Sequence, residues 1–166
     1  MKQRTKLQKT FIGMASICIP LAVGGVSAAL TADAMAQFGE MNQPPLSPPG
    51  WLFPVAWSIL YVLMGIACYL LYIAEPKDAR QQKNRTIALC LYVGQLFFNF
   101  CWSPIFFKLG WYYIAFVWLL AMWGLILALM IFANKVAKPA VWLLIPYLCW
   151  TTFAGYLNIG VAVLNK

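Results

Sequence analysis

Five stretches of this chain run past 20 residues without one charged side chain: Phe11–Ala32, Trp51–Ile73, Thr86–Phe107, Tyr112–Ala133 and Ala140–Leu164. An α-helix needs about 20 residues to cross the ~30 Å hydrocarbon layer of a bilayer. Inside that layer no water bonds the backbone, so a crossing segment must satisfy its own N–H and C=O groups. None of the five alternates apolar and polar residues with period two, which disfavours barrel strands. The sequence therefore predicts an all-α membrane protein. It is a five-transmembrane-helix bundle forming one domain over residues 1–166, with 33–50 as its longest connection.

The charge inventory supports this reading. Only 10% of residues are charged and 63% are apolar, whereas a soluble domain carries about 25% charged residues. The net charge of +8 forms no stripe on a polar helix and no aromatic-rich polar sheet, so no nucleic-acid partner is expected. Its distribution instead reports topology. Lys2, Arg4, Lys6 and Lys9 precede the first run, Lys77, Arg80, Lys83 and Arg85 lie between the second and third, and Lys135 and Lys138 between the fourth and fifth. Five crossings put these three regions on one face, leaving only Lys108 and Lys166 on the other. The positive-inside rule then places the N-terminus inside and the C-terminus outside. A multi-pass protein of a bacterial inner (plasma) membrane is the expectation.

The first run admits two readings. A basic N-terminus, an apolar run and Ala34-Met35-Ala36 before Gln37 resemble a cleaved signal peptide. However, the run is longer than the usual ~7–15 residues of a signal core. Gly13, Pro20, Gly24, Ser27 and Thr31 also form a small-residue stripe of the kind that lets membrane helices approach closely. These features favour a retained helix.

Signs of catalysis are sparse. The chain has no histidine and no Asp, Glu, Lys or Arg within a span, where proton-coupled transporters usually carry one. No nucleophile with a neighbouring base and no phosphate loop is present. Catalytic, metal and cofactor residues are therefore assigned as none. Cys18, Cys68, Cys90, Cys101 and Cys149 form no CxxC pair, and are read as buried free thiols.

What remains is uncharged polarity among aromatics. Gln95, Asn99 and Trp102 share a helical face, as do Tyr147, Trp150, Thr151, Ala154 and Asn158. One reading is that these amides only bond neighbouring helices. The other is a pocket with π-faces for a flat apolar ligand and a few polar groups to orient it. Pro20, Pro54, Pro104 and Pro146 each remove a helical hydrogen bond and are expected to kink their helices. Pro44-Pro45-Leu46-Ser47-Pro48-Pro49-Gly50 stiffens the end of the long outer connection, as a lid or a plain connector. Trp111 and Trp142, near span ends, suit interface anchoring.

Three runs resemble a known family. Ser47-Pro-Pro-Gly-Trp-Leu-Phe-Pro-Val-Ala-Trp57 is similar to the second-helix motif of the TspO/translocator-protein (peripheral benzodiazepine receptor, tryptophan-rich sensory protein) family. Gln95-Leu-Phe-Phe-Asn-Phe-Cys-Trp-Ser-Pro-Ile-Phe-Phe107 is similar to the third-helix motif. Trp142-Leu-Leu-Ile-Pro-Tyr-Leu-Cys-Trp-Thr-Thr-Phe-Ala-Gly-Tyr-Leu-Asn158 is similar to the fifth. The likeness covers about residues 44–165.

The resemblance implies a five-helix bundle, often a homodimer, with a pocket near the first connection. It implies binding of porphyrins of the protoporphyrin IX type, in a transport, sensing or regulatory role. Light-dependent porphyrin breakdown, or a regulatory membrane partner role, stands as the alternative. By position the pocket residues are Trp51, Asn99, Trp123, Tyr147, Trp150, Ala154 and Leu157. The sequence departs from the family at Leu46, where a tryptophan is common. It also departs at Ile159 and Val163, where animal members place the Tyr and Lys or Arg of a sterol motif.

Overall fold

The computed structural model describes residues 5–165, with backbone alone for 35–38; Lys2, Arg4 and Lys166 fall outside these residues. It contains α1 (Lys6–Phe38), α2 (Leu52–Ile73), α3 (Ala79–Ser103), α4 (Tyr112–Asn134) and α5 (Lys138–Leu164). A π-helical turn, Pro104–Lys108, continues α3. All five helices are long and apolar enough to cross a membrane. The all-helical architecture is the one the uncharged runs predict.

The helices outrun the predicted spans chiefly at the basic end. Residues 79–85, expected as loop, are the first two turns of α3. Asp78 caps them by accepting from the Gln81 N–H at 2.6 Å, while Gln81 Oε1 accepts from the Lys77 N–H at 2.7 Å. This reciprocal arrangement satisfies N–H groups that a helix start leaves orphaned. The same Gln81 donates to the Lys135 carbonyl at 3.0 Å, tying the α2–α3 connection to the α4–α5 connection. The two basic clusters thus share one end of the bundle.

Around the bundle the order is α1, α2, α5, α4, α3, and back to α1. Short loops predict that consecutive helices lie side by side, but α2 and α3 touch only weakly because α1 comes between them. Its small residues make that approach feasible. A methyl group on Gly24 would sit 2.0 Å from the Tyr61 ring of α2, and one on Gly65 would meet the Ile17 Cα at 2.6 Å. The stripe read from sequence is therefore consumed within the chain. Ala34-Met35-Ala36 is helical, and α1 ahead of it packs as a full member of the bundle.

The prolines act differently from one another. Pro54 lies in the first turn of α2, where its missing N–H costs nothing. Pro104 opens the π-turn, in which the Leu109 N–H donates to the Pro104 carbonyl at 3.1 Å. Without an N–H on Pro104 the Phe100 carbonyl loses its helical partner, and Ser27 of α1 donates to it at 3.0 Å. Pro20 likewise frees the Ser16 carbonyl, which faces Gly65. Gly110, at φ +64°, turns the chain into α4. The cysteines are free, but Cys18, Cys90 and Cys149 are exposed on the bundle's outside rather than buried; in a membrane protein that surface faces lipid.

Candidate functional site

Between the helices and beneath the first connection lies a cavity of about 620 Å³, within the usual ~300–1,000 Å³ of small-molecule sites. Trp57 and Phe53 of α2, Trp102 and Phe106 near the end of α3, and Trp150 of α5 supply aromatic wall. Trp57 stacks on Tyr61 at 5.6 Å and Trp102 on Phe106 at 5.0 Å, so these rings are braced rather than loose. Gly24, Ser27 and Thr31 of α1 form a small, mildly polar side. Among the described residues, no charged side chain lines the cavity.

Asn99 sits on the wall at the junction of three helices. Its Oδ1 accepts from the Tyr61 hydroxyl at 2.5 Å, and its Nδ2 donates to the Tyr147 hydroxyl at 3.2 Å. Tyr147 donates onward to Gln95 Oε1 at 2.7 Å. An amide nitrogen carries two N–H groups, and the protein takes one of Asn99's. The Trp150 indole N–H is buried without a partner. The second Asn99 N–H is thus a spare donor on the wall, and the described lining brings no counter-charge, which suits an aromatic ligand bearing acceptor atoms. Asn158, also on the wall, is committed to structure. It accepts from Trp102 Nε1 at 3.2 Å and donates to the Tyr112 carbonyl at 2.8 Å.

The roof is the connection after α1. Pro44 to Ser47 make a turn in which the Ser47 N–H donates to the Pro44 carbonyl at 3.2 Å. Leu46 occupies its third position at φ +67°, where a turn of this kind ordinarily takes glycine. The roof is fastened to α5. The Asn42 N–H donates to Asn165 Oδ1 at 3.0 Å and Asn165 Nδ2 returns to the Asn42 carbonyl at 2.8 Å. Tyr156 donates to the Pro45 carbonyl at 2.8 Å. Ser47, Pro48 and Pro49 line the cavity, so the stiff segment covers it.

The TspO/MBR family pattern matches residues 16–164, and so takes in most of α1 as well as the cavity. The chain belongs to the TspO/MBR family. Tryptophan-rich protein TspO of Chlorobaculum tepidum is 35% identical over 90% of this chain and 94% of its own length. The Translocator protein homolog of Schizosaccharomyces pombe is 40% identical over 77% of each chain. Translocator protein of Ovis aries is 37% identical over 73% of this chain and 70% of its own.

In this TspO/MBR member the cavity gathers Asn99, Trp150, Ala154 and Leu157 of the seven residues assigned by position. Tyr147 stands one layer behind the wall, fully buried, and touches the site through Asn99. Trp51 is 66% exposed at the start of α2, next to Gly50 on the rim. Trp123 is off the wall; its indole donates to Thr152 Oγ1 at 2.9 Å on the outer α4–α5 surface. Of the four aromatics assigned to the pocket, only Trp150 lies on its wall. Sequence reasoning missed the α1 contribution, because the stripe of Gly24, Ser27 and Thr31 was legible only as helix packing. It also missed Phe106 and Phe107, whose direction depends on the π-turn.

Proposed function

We propose that this membrane protein binds a porphyrin-like tetrapyrrole of the protoporphyrin IX type in the lidded cavity, in a transport, sensing or regulatory role. The observation that carries this reading is the juxtaposition of Trp57, Trp102 and Trp150 with the Asn99 amide in an uncharged cavity. Indole faces stack on the macrocycle, each contributing about 0.5–1.5 kcal/mol beyond area burial. The spare Asn99 N–H supplies a hydrogen bond to an acceptor of the ligand. With no Lys or Arg inside, the propionates point to the outer mouth, where water solvates them. The clustering of basic residues at the opposite end supports an N-terminus-inside orientation in a bacterial plasma membrane, and a homodimer is part of the proposal.

Titrating the purified protein with protoporphyrin IX and following tryptophan quenching tests the reading. Saturable binding weakened about tenfold by Trp150→Ala, and also weakened by Asn99→Ala, is expected. Affinity unchanged in both variants rejects this site. The tryptophans on the wall also favour, as a second reading, light-driven oxidation of the bound ring by dioxygen, which takes up the electrons. Illumination that leaves the Soret band of the complex decaying no faster than that of free porphyrin removes it.

A further inference from the structure

On the outer surface between α2 and α5 lies a second hollow, a cleft of about 480 Å³. Ile59 and Leu63 of α2 and Pro146, Cys149 and Phe153 of α5 line it, with no charged or amide side chain among them. Ile59 is 57% exposed, so in a membrane the cleft opens to acyl chains. Trp150 lies on the wall of this cleft and on the wall of the lidded cavity, and is the one described residue common to both. The Trp150 indole, packed beside Phe53 and Trp57, is the side chain that the chamber and the lipid-facing cleft share.

That indole is held by ring contacts rather than by a hydrogen bond. Trp102, Trp118 and Trp123 each anchor their ring N–H in a hydrogen bond. Trp150 has ring contacts with Phe53, Trp57 and Phe153 at 6.1, 6.5 and 5.9 Å, and its buried N–H has no partner. Rotating it breaks no hydrogen bond. Pro146, one turn earlier on α5, removes a backbone bond from the helix beside the cleft, so α5 yields more readily there. The top of the chamber is the reverse, fastened by the paired Asn42–Asn165 bonds and the Tyr156–Pro45 bond.

Depth agrees with this division. At 1.5 Å per residue, Trp150 stands about 18 Å from the start of α5 and about 21 Å from its end, near the middle of the hydrocarbon. An apolar ligand dissolved in the bilayer meets the cleft before it meets the lid.

We propose that ligand passes between membrane and cavity sideways, through the α2–α5 cleft, with Trp150 as the gate. The proposal rests on the binding reading above, and its test separates the two. A chain with Cys149 as its sole cysteine is made by replacing Cys18, Cys68, Cys90 and Cys101 with Ala, and a bulky aliphatic maleimide is attached at Cys149. Association and dissociation of protoporphyrin IX dimethyl ester, which has no charge to carry through lipid, are followed in nanodiscs by stopped-flow tryptophan quenching. Equilibrium affinity is measured on the same samples.

A blocked passage slows both rates together, by about tenfold or more, while affinity moves less than about threefold. Pro146→Ala, which restores the helical bond without touching the cavity, is expected to slow both rates about threefold. A disulfide across the mouth, from Asn42→Cys with Asn165→Cys and Cys149→Ala, leaves them within about twofold. Rates insensitive to the Cys149 adduct but slowed by the mouth disulfide place the route at the lid and overturn the proposal. Slower association with unchanged dissociation means that the adduct occupies the cavity, and overturns it as well. Absence of saturable binding in the unmodified protein rejects the binding reading itself, and the route falls with it.

Discussion

At the scale of single residues, Gly24 and Gly25 make a matched pair. A methyl at Gly24 meets the Tyr61 ring at 2.0 Å, and that ring is held by its hydroxyl bond to Asn99, whereas a methyl at Gly25 meets nothing within 4 Å. Gly24→Ala is therefore expected to destabilise by about 1–3 kcal/mol and to disturb the cavity through Tyr61. Gly25→Ala leaves stability unchanged or slightly raised. Thermal unfolding in detergent of the two variants compares them directly. Leu46 is a second case: its left-handed backbone costs about 1–2 kcal/mol, and its side chain is 83% exposed with little to offset that. Leu46→Gly removes the strain at an entropic cost of about 0.5–1 kcal/mol, so a small rise in melting temperature is expected. Asn99 was legible in the sequence because a buried amide in lipid must find partners. The identity of those partners, Tyr61 and Tyr147, was not, since it depends on which helices α3 faces.

At the scale of elements, the runs without charge located every helix, because their length and composition leave a membrane chain no other structure. Their ends were less legible. Residues 79–85 carry charge and were read as loop, yet the Asp78 and Gln81 cap makes them helix. The prolines were legible as interruptions but not as devices. Pro104 turns the lost bond into a junction, since the freed Phe100 carbonyl is the acceptor for Ser27. Pro104→Ala restores the helical donor to that carbonyl, and so weakens the need for Ser27. A double-mutant cycle of Pro104→Ala with Ser27→Ala is expected to show coupling of about 0.5–1.5 kcal/mol. Strictly additive unfolding free energies would mean that the Ser27 bond does not depend on the donor missing at Pro104. Trp123 illustrates the opposite error. Position alone, outside the three family motifs, put it in the pocket, while its hydrogen bond to Thr152 holds it on the outer surface.

At the scale of the whole molecule, the circular order of helices puts α1, α2, α3 and α5, with Met122 of α4, around one chamber and leaves the basic connections at the far end. The proposed orientation can be tested on that separation. With the native cysteines removed, a membrane-impermeant thiol reagent applied from outside is expected to label Asn42→Cys and to spare Lys83→Cys. The reverse pattern would invert the topology. The lid and the aromatic wall were legible as separate motifs, and only the fold shows that they close on the same space. The most direct test of that space as the binding site is to fill it. Ala154 lines the chamber and is buried, so Ala154→Phe occupies volume the ligand needs, while Trp123→Ala alters only the outer surface. In a protoporphyrin IX titration of reconstituted protein, Ala154→Phe is expected to lose saturable tryptophan quenching and Trp123→Ala to keep it within about twofold of wild type. Undiminished binding in a folded Ala154→Phe protein would contradict the account.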